Sequence, residues 1–247
     1  VEAVLNAPVE ERSPSLRRQR VRLCQPQPNY NYEIRFMSYM VKEVFYTLQG
    51  EGGNVGRAAV FCRFAGCNLW SGREADRASA QCQFCDTDFV GLDGTGGGKF
   101  DSAQALADRV SVHWPTSVAG RKLVVLTGGE PLLQVDSALI DALHRGGFEI
   151  AVETNGTIAA PAGVDWLCVS PKAHTSLKIH AGHELKVVVP QSGIDLDALI
   201  ELNFERHLLQ PMDGPALKEN TLWAIDYCLR DPRWRLTLQT HKMVGIR

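Results

Sequence analysis

KLVVLTGGEPLLQVDSALIDALHRGGFEIAVET, residues 122–154, decides the fold class. Residues 122–127 are a strand-sized, mostly apolar run that ends in TGGE. Leu132, Leu133, Val135, Leu139, Ile140 and Leu143 then recur at helical spacing, which predicts an amphipathic helix over 132–145. FEIAVET, 148–154, is a second strand, ending in Glu153, Thr154 and Asn155. Strand, helix and strand in so short a span is a unit that pairs its strands in parallel through a right-handed crossover.

The same alternation continues on both sides. DWLCVS (165–170), HELKVVVP (183–190), HLLQ (207–210) and RLTLQTHK (235–242) read as further strands, with helices over 195–203 and 219–231 between them. Upstream, MVKEVFYT (40–47) and AAVFCRF (58–64) are strands, and Asp101 or Ser102 can cap a helix SAQALADRVSVHW. The strands end in TGGE, ETN, SPK, QPMD and QTHK. Small and polar residues at the carboxyl ends of parallel strands mark the face where barrels do chemistry. The repeat count is nearer six than eight, so an α/β fold with a partial (β/α)6-type parallel barrel is expected. A doubly wound open sheet is the alternative, and it brings the same ends together.

Residues 37–247 are expected to form one domain. Residues 1–36 mix Pro, Gln, Asn and an Arg-rich run without a sustained period, which suggests a disordered leader or a mis-called start, with the functional chain beginning at Met37. A net charge of −2 gives no nucleic-acid signal. The longest apolar runs are strand-sized, which argues against a membrane span, and no secretory segment opens the chain. Seven unevenly clustered cysteines favour a reduced, cytoplasmic setting and metal or catalytic use over a disulfide framework.

Three of those cysteines, Cys67, Cys82 and Cys85, share CNLWSGREADRASAQCQFCDT (67–87). Cys-x2-Cys alone is weak evidence. A structural zinc site wants a fourth ligand at short spacing, and no His lies between Cys67 and Cys85. A redox pair would leave Cys67 idle. Three thiolates suit a [4Fe–4S] cluster with one iron left open to chelate a small molecule. Upstream, LQGEGGNVGR (48–57) is a Gly-rich loop that lets backbone approach a ligand. Arg63, in an otherwise apolar strand, is a candidate for binding an anionic substrate group. Cys168 and Cys228 fit apolar faces and read as packing.

The cysteine segment together with TGGEP (127–131) resembles the radical S-adenosylmethionine superfamily, whose usual spacing is Cys-x3-Cys-x2-Cys. Here fourteen residues stand where three are usual. One branch accepts a long insert, the 7-carboxy-7-deazaguanine synthases. FYTLQGEG (45–52), FCRFAGCNLW (61–70), CDTDF (85–89), ETNG (153–156), SPK (170–172), ELKVV (184–188) and QPMDG (210–214) all resemble it, and the likeness covers 37–247.

The resemblance implies a lyase of queuosine and 7-deazapurine biosynthesis that contracts 6-carboxy-5,6,7,8-tetrahydropterin to 7-carboxy-7-deazaguanine with loss of ammonia. It implies a [4Fe–4S] cluster on Cys67, Cys82 and Cys85, S-adenosyl-L-methionine cleaved to a radical that takes hydrogen from C6 of the pterin, and Mg²⁺ on Thr87. Without the family, Thr87 would read as a helix N-cap. Phe84, Cys85, Asp86, Gly129, Ser170, Pro171, Lys172, Gln210, Pro211, Met212 and Asp213 would contact S-adenosylmethionine. Leu48, Gln49, Gly50, Arg63 and Thr127 would line the substrate, and the Arg247 carboxylate would reach its mouth; Glu51 and His241 are further candidates. Partners implied are an electron donor such as flavodoxin or ferredoxin and a second copy in a homodimer. The rivals are a glycyl-radical activase, which usually keeps the short spacing, a zinc-binding interaction module, and a zinc deaminase, whose H-x-E and P-C-x-x-C elements are missing.

Overall fold

The computed structural model describes residues 38–247, so the expected leader, 1–36, lies outside the described residues. Nine strands form one sheet: β1 (Tyr39–Leu48), β2 (Ala58–Phe64), β3 (Gly98–Phe100), β4 (Lys122–Gly128), β5 (Phe148–Thr154), β6 (Trp166–Val169), β7 (Ala181–Val189), β8 (Asn203–Pro211) and β9 (Trp234–Leu236). Their order is β3-β1-β2-β4-β5-β6-β7-β8-β9. β1 pairs antiparallel with β2 and β3, and every pair from β2 to β9 is parallel.

From β2 onward the order never reverses. A doubly wound sheet needs a reversal, so that alternative is excluded. Crossovers of one hand then stack their helices on one face. The large apolar cluster joins Val60, Val124, Leu126, Ile150 and Val152 of that face to Leu106, Val110, Leu139 and Leu143 of the helices. A second cluster on the other face, Ala59, Leu123, Val125 and Ala151, holds only strand residues. Curvature explains it. β1 and β7 stand five strands apart, about 24 Å in a flat sheet. Yet Glu51, just past β1, meets Lys186 of β7 at 2.5 Å, and Gly52 N–H donates to Thr237 Oγ1, just past β9, at 3.0 Å. The sheet curls into a partial barrel, and the loop after β1 bridges its margins.

Polar side chains start the main helices. Ser102 accepts from Ala105 N–H ahead of α1 (Ala103–His113), Asp136 from Leu139 N–H ahead of α2 (Ser137–Arg145), and Asp195 from Ala198 N–H ahead of α3 (Leu196–Ile200). α4 (Leu217–Arg230) precedes β9, and α5 (Thr240–Val244) closes the chain. Seven strands run parallel, the seventh being the three-residue β9. Three expectations are corrected. No helix separates β5, β6 and β7. The helix expected over 132–145 begins as a separate 3-10 turn, Pro131–Leu133. The last expected strand, 235–242, stops at Leu236 and becomes α5.

Candidate active site

The fourteen-residue insert folds back on itself. Gln81 and Cys82 N–H both donate to Leu69 O, at 3.1 and 3.4 Å, which returns Cys82 to the neighbourhood of Cys67. A 3-10 turn, Glu74–Ser79, carries the Arg77 guanidinium 4.1 Å from the Trp70 ring centroid. Arg77 Nη1 then donates to Gln83 O and Cys85 O at 2.9 and 3.0 Å. Arg77 therefore fixes the return limb that carries the second and third thiols. Interaction with Cys85, with burial added, pushes the Cys82 thiol up, while interaction with Cys82 pulls Cys85 below the ordinary thiol range against the opposing effect of burial. Burial pushes Cys67 up.

The three thiols are free, and an all-thiol donor set suits an iron–sulfur cluster. Among the described residues no three His, Cys, Asp or Glu are drawn together to hold a single metal ion. The end of β4 is pressed against the Cys67 turn: a Cβ on Gly129 would lie 2.0 Å from Gly66 O and 2.9 Å from Cys67 Cβ. Glu130 N–H donates to Gly66 O at 2.9 Å. The fully buried Glu130 carboxylate accepts from Leu132 N, Thr154 Oγ1 and Asn155 N at 2.9, 2.7 and 2.7 Å. Burial pushes its pKa up despite those donors. GGEP thus joins two strand ends to the cysteine turn.

The curled sheet encloses a cavity of about 500 Å³ lined by the strand ends and the cysteine segment. Cys67, Cys82, Phe84, Cys85, Asp86 and Thr87 line it from the segment; Thr127 and Gly129 from β4; Ser170 and Lys172 after β6; Gln210, Pro211, Met212 and Asp213 from β8 onward. Leu48, Gln49, Gly50, Glu51, Arg63, His241 and Arg247 complete the wall. Pro171 alone of the expected residues does not line it: it is buried, and its carbonyl faces Gln191 Nε2 at 3.5 Å. No helix follows Thr87, which removes its N-cap reading. Gly50 has no room for a side chain, since a Cβ would lie 2.3 Å from His241 Nδ1. Arg247 turns its side chain inward: its main-chain oxygen accepts from Thr47 Oγ1 at 2.9 Å, while its guanidinium pairs with Glu43 and lies 4.5 Å from the Phe45 ring centroid.

Sequence reasoning missed nine charged or polar lining residues: Lys42, Glu43, Asp88, Glu153, Thr154, Asn155, Lys186, Gln239 and Lys242. Lys186 Nζ donates to Glu51 at 2.5 Å and Glu153 at 2.9 Å, with its side chain only 6% exposed. Burial opposes its charge, but Glu153 and Glu51 outweigh burial and hold its pKa well above the ordinary value. Burial likewise opposes the Glu51 carboxylate, yet Lys186 draws it below the ordinary value. Gln49 Nε2 donates to Glu153 at 3.2 Å, and Gln239 Nε2 to Glu51 at 3.0 Å. Lys242 bridges Asp86 and Asp213 at 2.5 and 2.6 Å. The available signal was a charge inside an apolar strand, as in ELKVVV and FEIAVET.

No protein-family model matches the chain. A 7-carboxy-7-deazaguanine synthase of Bradyrhizobium diazoefficiens is 66% identical over 211 residues, covering 85% of this chain and 100% of that protein. The synthase of Bordetella pertussis is 60% identical over 210 residues, and that of Bacteroides thetaiotaomicron 39% over 211, each with 85% of this chain and 100% of the relative covered. Among solved structures, QueE from Escherichia coli superposes with a TM-score of 0.63 at 27% identity, covering 83% of this chain and 95% of that one. Relatives matched from end to end at this identity place the chain in the 7-carboxy-7-deazaguanine synthase family.

Proposed function

We propose that the chain contracts 6-carboxy-5,6,7,8-tetrahydropterin to 7-carboxy-7-deazaguanine with loss of ammonia, a carbon–nitrogen lyase step toward queuosine. The observation that carries this reading is that three free thiols share one cavity with the carboxyl ends of the parallel strands. Cys67, Cys82 and Cys85 would hold a [4Fe–4S] cluster, which when bound supplies the electron that splits S-adenosylmethionine.

The rest falls to the chain's own residues. Gly129, Ser170, Lys172, Gln210, Pro211, Met212 and Asp213 would seat the S-adenosylmethionine, with Phe84, Cys85 and Asp86 facing it from the cysteine segment. Pro171 would act only through its neighbours, being outside the lining. Leu48, Gln49, Gly50 and Thr127 would read the pterin edge, and Arg63 its carboxylate. Thr87 offers one hydroxyl to Mg²⁺, whose remaining positions waters and substrate oxygens would fill. The wall of the partial barrel would shield the reacting atoms from part of the bulk water.

The reading brings two partners from the family, a small electron-transfer protein such as flavodoxin or ferredoxin and a second copy of the chain. Cytoplasmic placement belongs to it as well. All described cysteines are free, which agrees with a reducing compartment, and no helix among the described residues is long and apolar enough to cross a membrane. The test is anaerobic reconstitution with iron and sulfide, then incubation with S-adenosylmethionine, reductant, Mg²⁺ and the carboxytetrahydropterin. 7-Carboxy-7-deazaguanine and ammonia are expected. A brown, cluster-bearing protein that cleaves S-adenosylmethionine but leaves the pterin intact overturns the substrate assignment.

A further inference from the structure

β1 carries a bulge. Val41 sits opposite Phe64, Glu43 opposite Arg63 and Val44 opposite Cys62, with the register slipping between Val41 and Glu43. Val41 and Val44 therefore both face the helix-side core, three residues apart where a regular strand would separate their faces. The extra residue turns two consecutive side chains, Lys42 and Glu43, toward the cavity.

The bulge is pinned from outside. Gly94 N–H donates to Lys42 O at 3.0 Å, and Val44 N–H to Thr95 O at 2.7 Å. A Cβ on Gly94 would lie 2.7 Å from Glu43 Cβ. Lys42 Nζ is held by Val90 O, Asp93 and Asp88, at 2.8, 2.8 and 3.0 Å. The Glu43 carboxylate, 11% exposed, then accepts from Arg63 Nε at 2.9 Å and pairs with the Arg247 guanidinium.

A guanidinium bound through Nε keeps its two Nη groups, and among the described residues nothing accepts from those of Arg63. Those groups can meet a carboxylate end-on in two parallel bonds. We infer that Glu43 is a positioning residue for substrate binding: it locks Arg63, and with it Arg247, into a two-cation fork that receives the carboxylate of the substrate. The fork keeps a net single positive charge, matched to one carboxylate, and Glu43 spares the two guanidiniums their mutual repulsion. This rests on the proposed function, since it takes the substrate to carry a carboxylate.

The test measures affinity on the cluster-loaded, anaerobic protein with S-adenosylmethionine and Mg²⁺ present, using oxidised 6-carboxypterin and unsubstituted pterin as probes. Glu43→Gln, which can accept from only one of the two cations, is expected to weaken 6-carboxypterin about tenfold, the equivalent of about 1.4 kcal/mol. Pterin should change less than about twofold, well inside one such step. Glu43→Asp keeps the charge at a shorter reach and should fall between wild type and Glu43→Gln. Adding Arg63→Lys to Glu43→Gln should cost no more than Arg63→Lys alone. Equal weakening of both probes in both Glu43 variants assigns Glu43 to folding and overturns the inference, as does no weakening of either. Failure of the wild type to prefer 6-carboxypterin over pterin rejects the carboxylate-bearing substrate, and this fork with it.

Discussion

At Gly129 the backbone of β4 approaches the Cys67 turn so closely that a methyl group would overlap Gly66 O at 2.0 Å. Overpacking of that kind costs about 1–3 kcal/mol when the neighbour is backbone. Gly129→Ala is therefore expected to lower the unfolding free energy of the cluster-free protein by that amount. Urea denaturation before any reconstitution separates this cost from cluster loss. Lys186 gives the second residue-scale prediction, with a sign that depends on pH. In the wild type, Glu51 has its pKa lowered, so it contributes stability that is present above about pH 4.5 and lost as pH falls through its folded value. Lys186→Met removes the cation that outweighs burial and strands Glu51 and Glu153. Burial then raises the Glu51 pKa, and the variant loses stability as pH rises. It should be less stable than wild type by about 3–5 kcal/mol at pH 8 and by clearly less at pH 5. Unfolding curves at both pH values check this; a gap that stays constant with pH would remove the charge argument. Cys67, Cys82 and Cys85 were legible because thiol spacing carries chemistry in the sequence itself. Glu153 and Lys186 were not. Lys186 meets Glu51 across five strands and Glu153 across two, and a single charge on an apolar strand reads equally as an edge residue.

Elements show the same division. β2 and β5 fall where apolar runs placed them, because burial on both faces leaves a continuous apolar signature. β1 was legible as a strand but not as a bulged one, although Tyr39, Val41 and Val44 record the slip in phase. RLTLQTHK alternates as a strand should, yet its second half is helical. Thr237 N–H still donates to Leu209 O at 3.0 Å, as a continuing ladder would. Thr240 then donates from both N–H and Oγ1 to Gly50 O at 2.9 Å, and the turn into α5 follows. Tertiary ties of this sort override β-propensity and leave no local mark. α5 buries no residue of its own and is held by Thr240, Lys242 and the Glu43–Arg247 pair. Deleting 240–247 should therefore leave cooperative unfolding intact while weakening 6-carboxypterin at least about tenfold. Calorimetric unfolding and ligand titration on the same sample check it, and an unchanged affinity would remove α5 from the site.

At the scale of the whole molecule, the cavity exists because the loop after β1 ties the margins of the curled sheet together. Glu51 reaches β7 and Gln239, Gly52 reaches Thr237, and Gly53 N–H donates to Glu184 of β7 at 2.7 Å. Substrate and cofactor bound there would touch both margins and engage only the folded barrel. A ligand that binds only the folded state stabilises it by about 2.7 kcal/mol at a hundredfold excess over its Kd. In a domain of this size each kcal/mol moves the midpoint by about 2–4 °C. S-adenosylmethionine and 6-carboxypterin at that excess should each raise the Tm of the cluster-loaded protein by about 5–11 °C. A second cavity lies at the amino ends of β6 and β7, lined by Ala160, Gly163, Leu167 and His180. In a barrel of parallel strands that rim carries stability rather than chemistry. His180→Ala should thus leave the ligand-induced rise intact, while Asn155→Ala, at the carboxyl end of β5 and bonded to Asn68 beside Cys67, should shrink it. Equal loss in the two variants would mean that the ligands do not distinguish the rims, and that the strand ends are not where they bind.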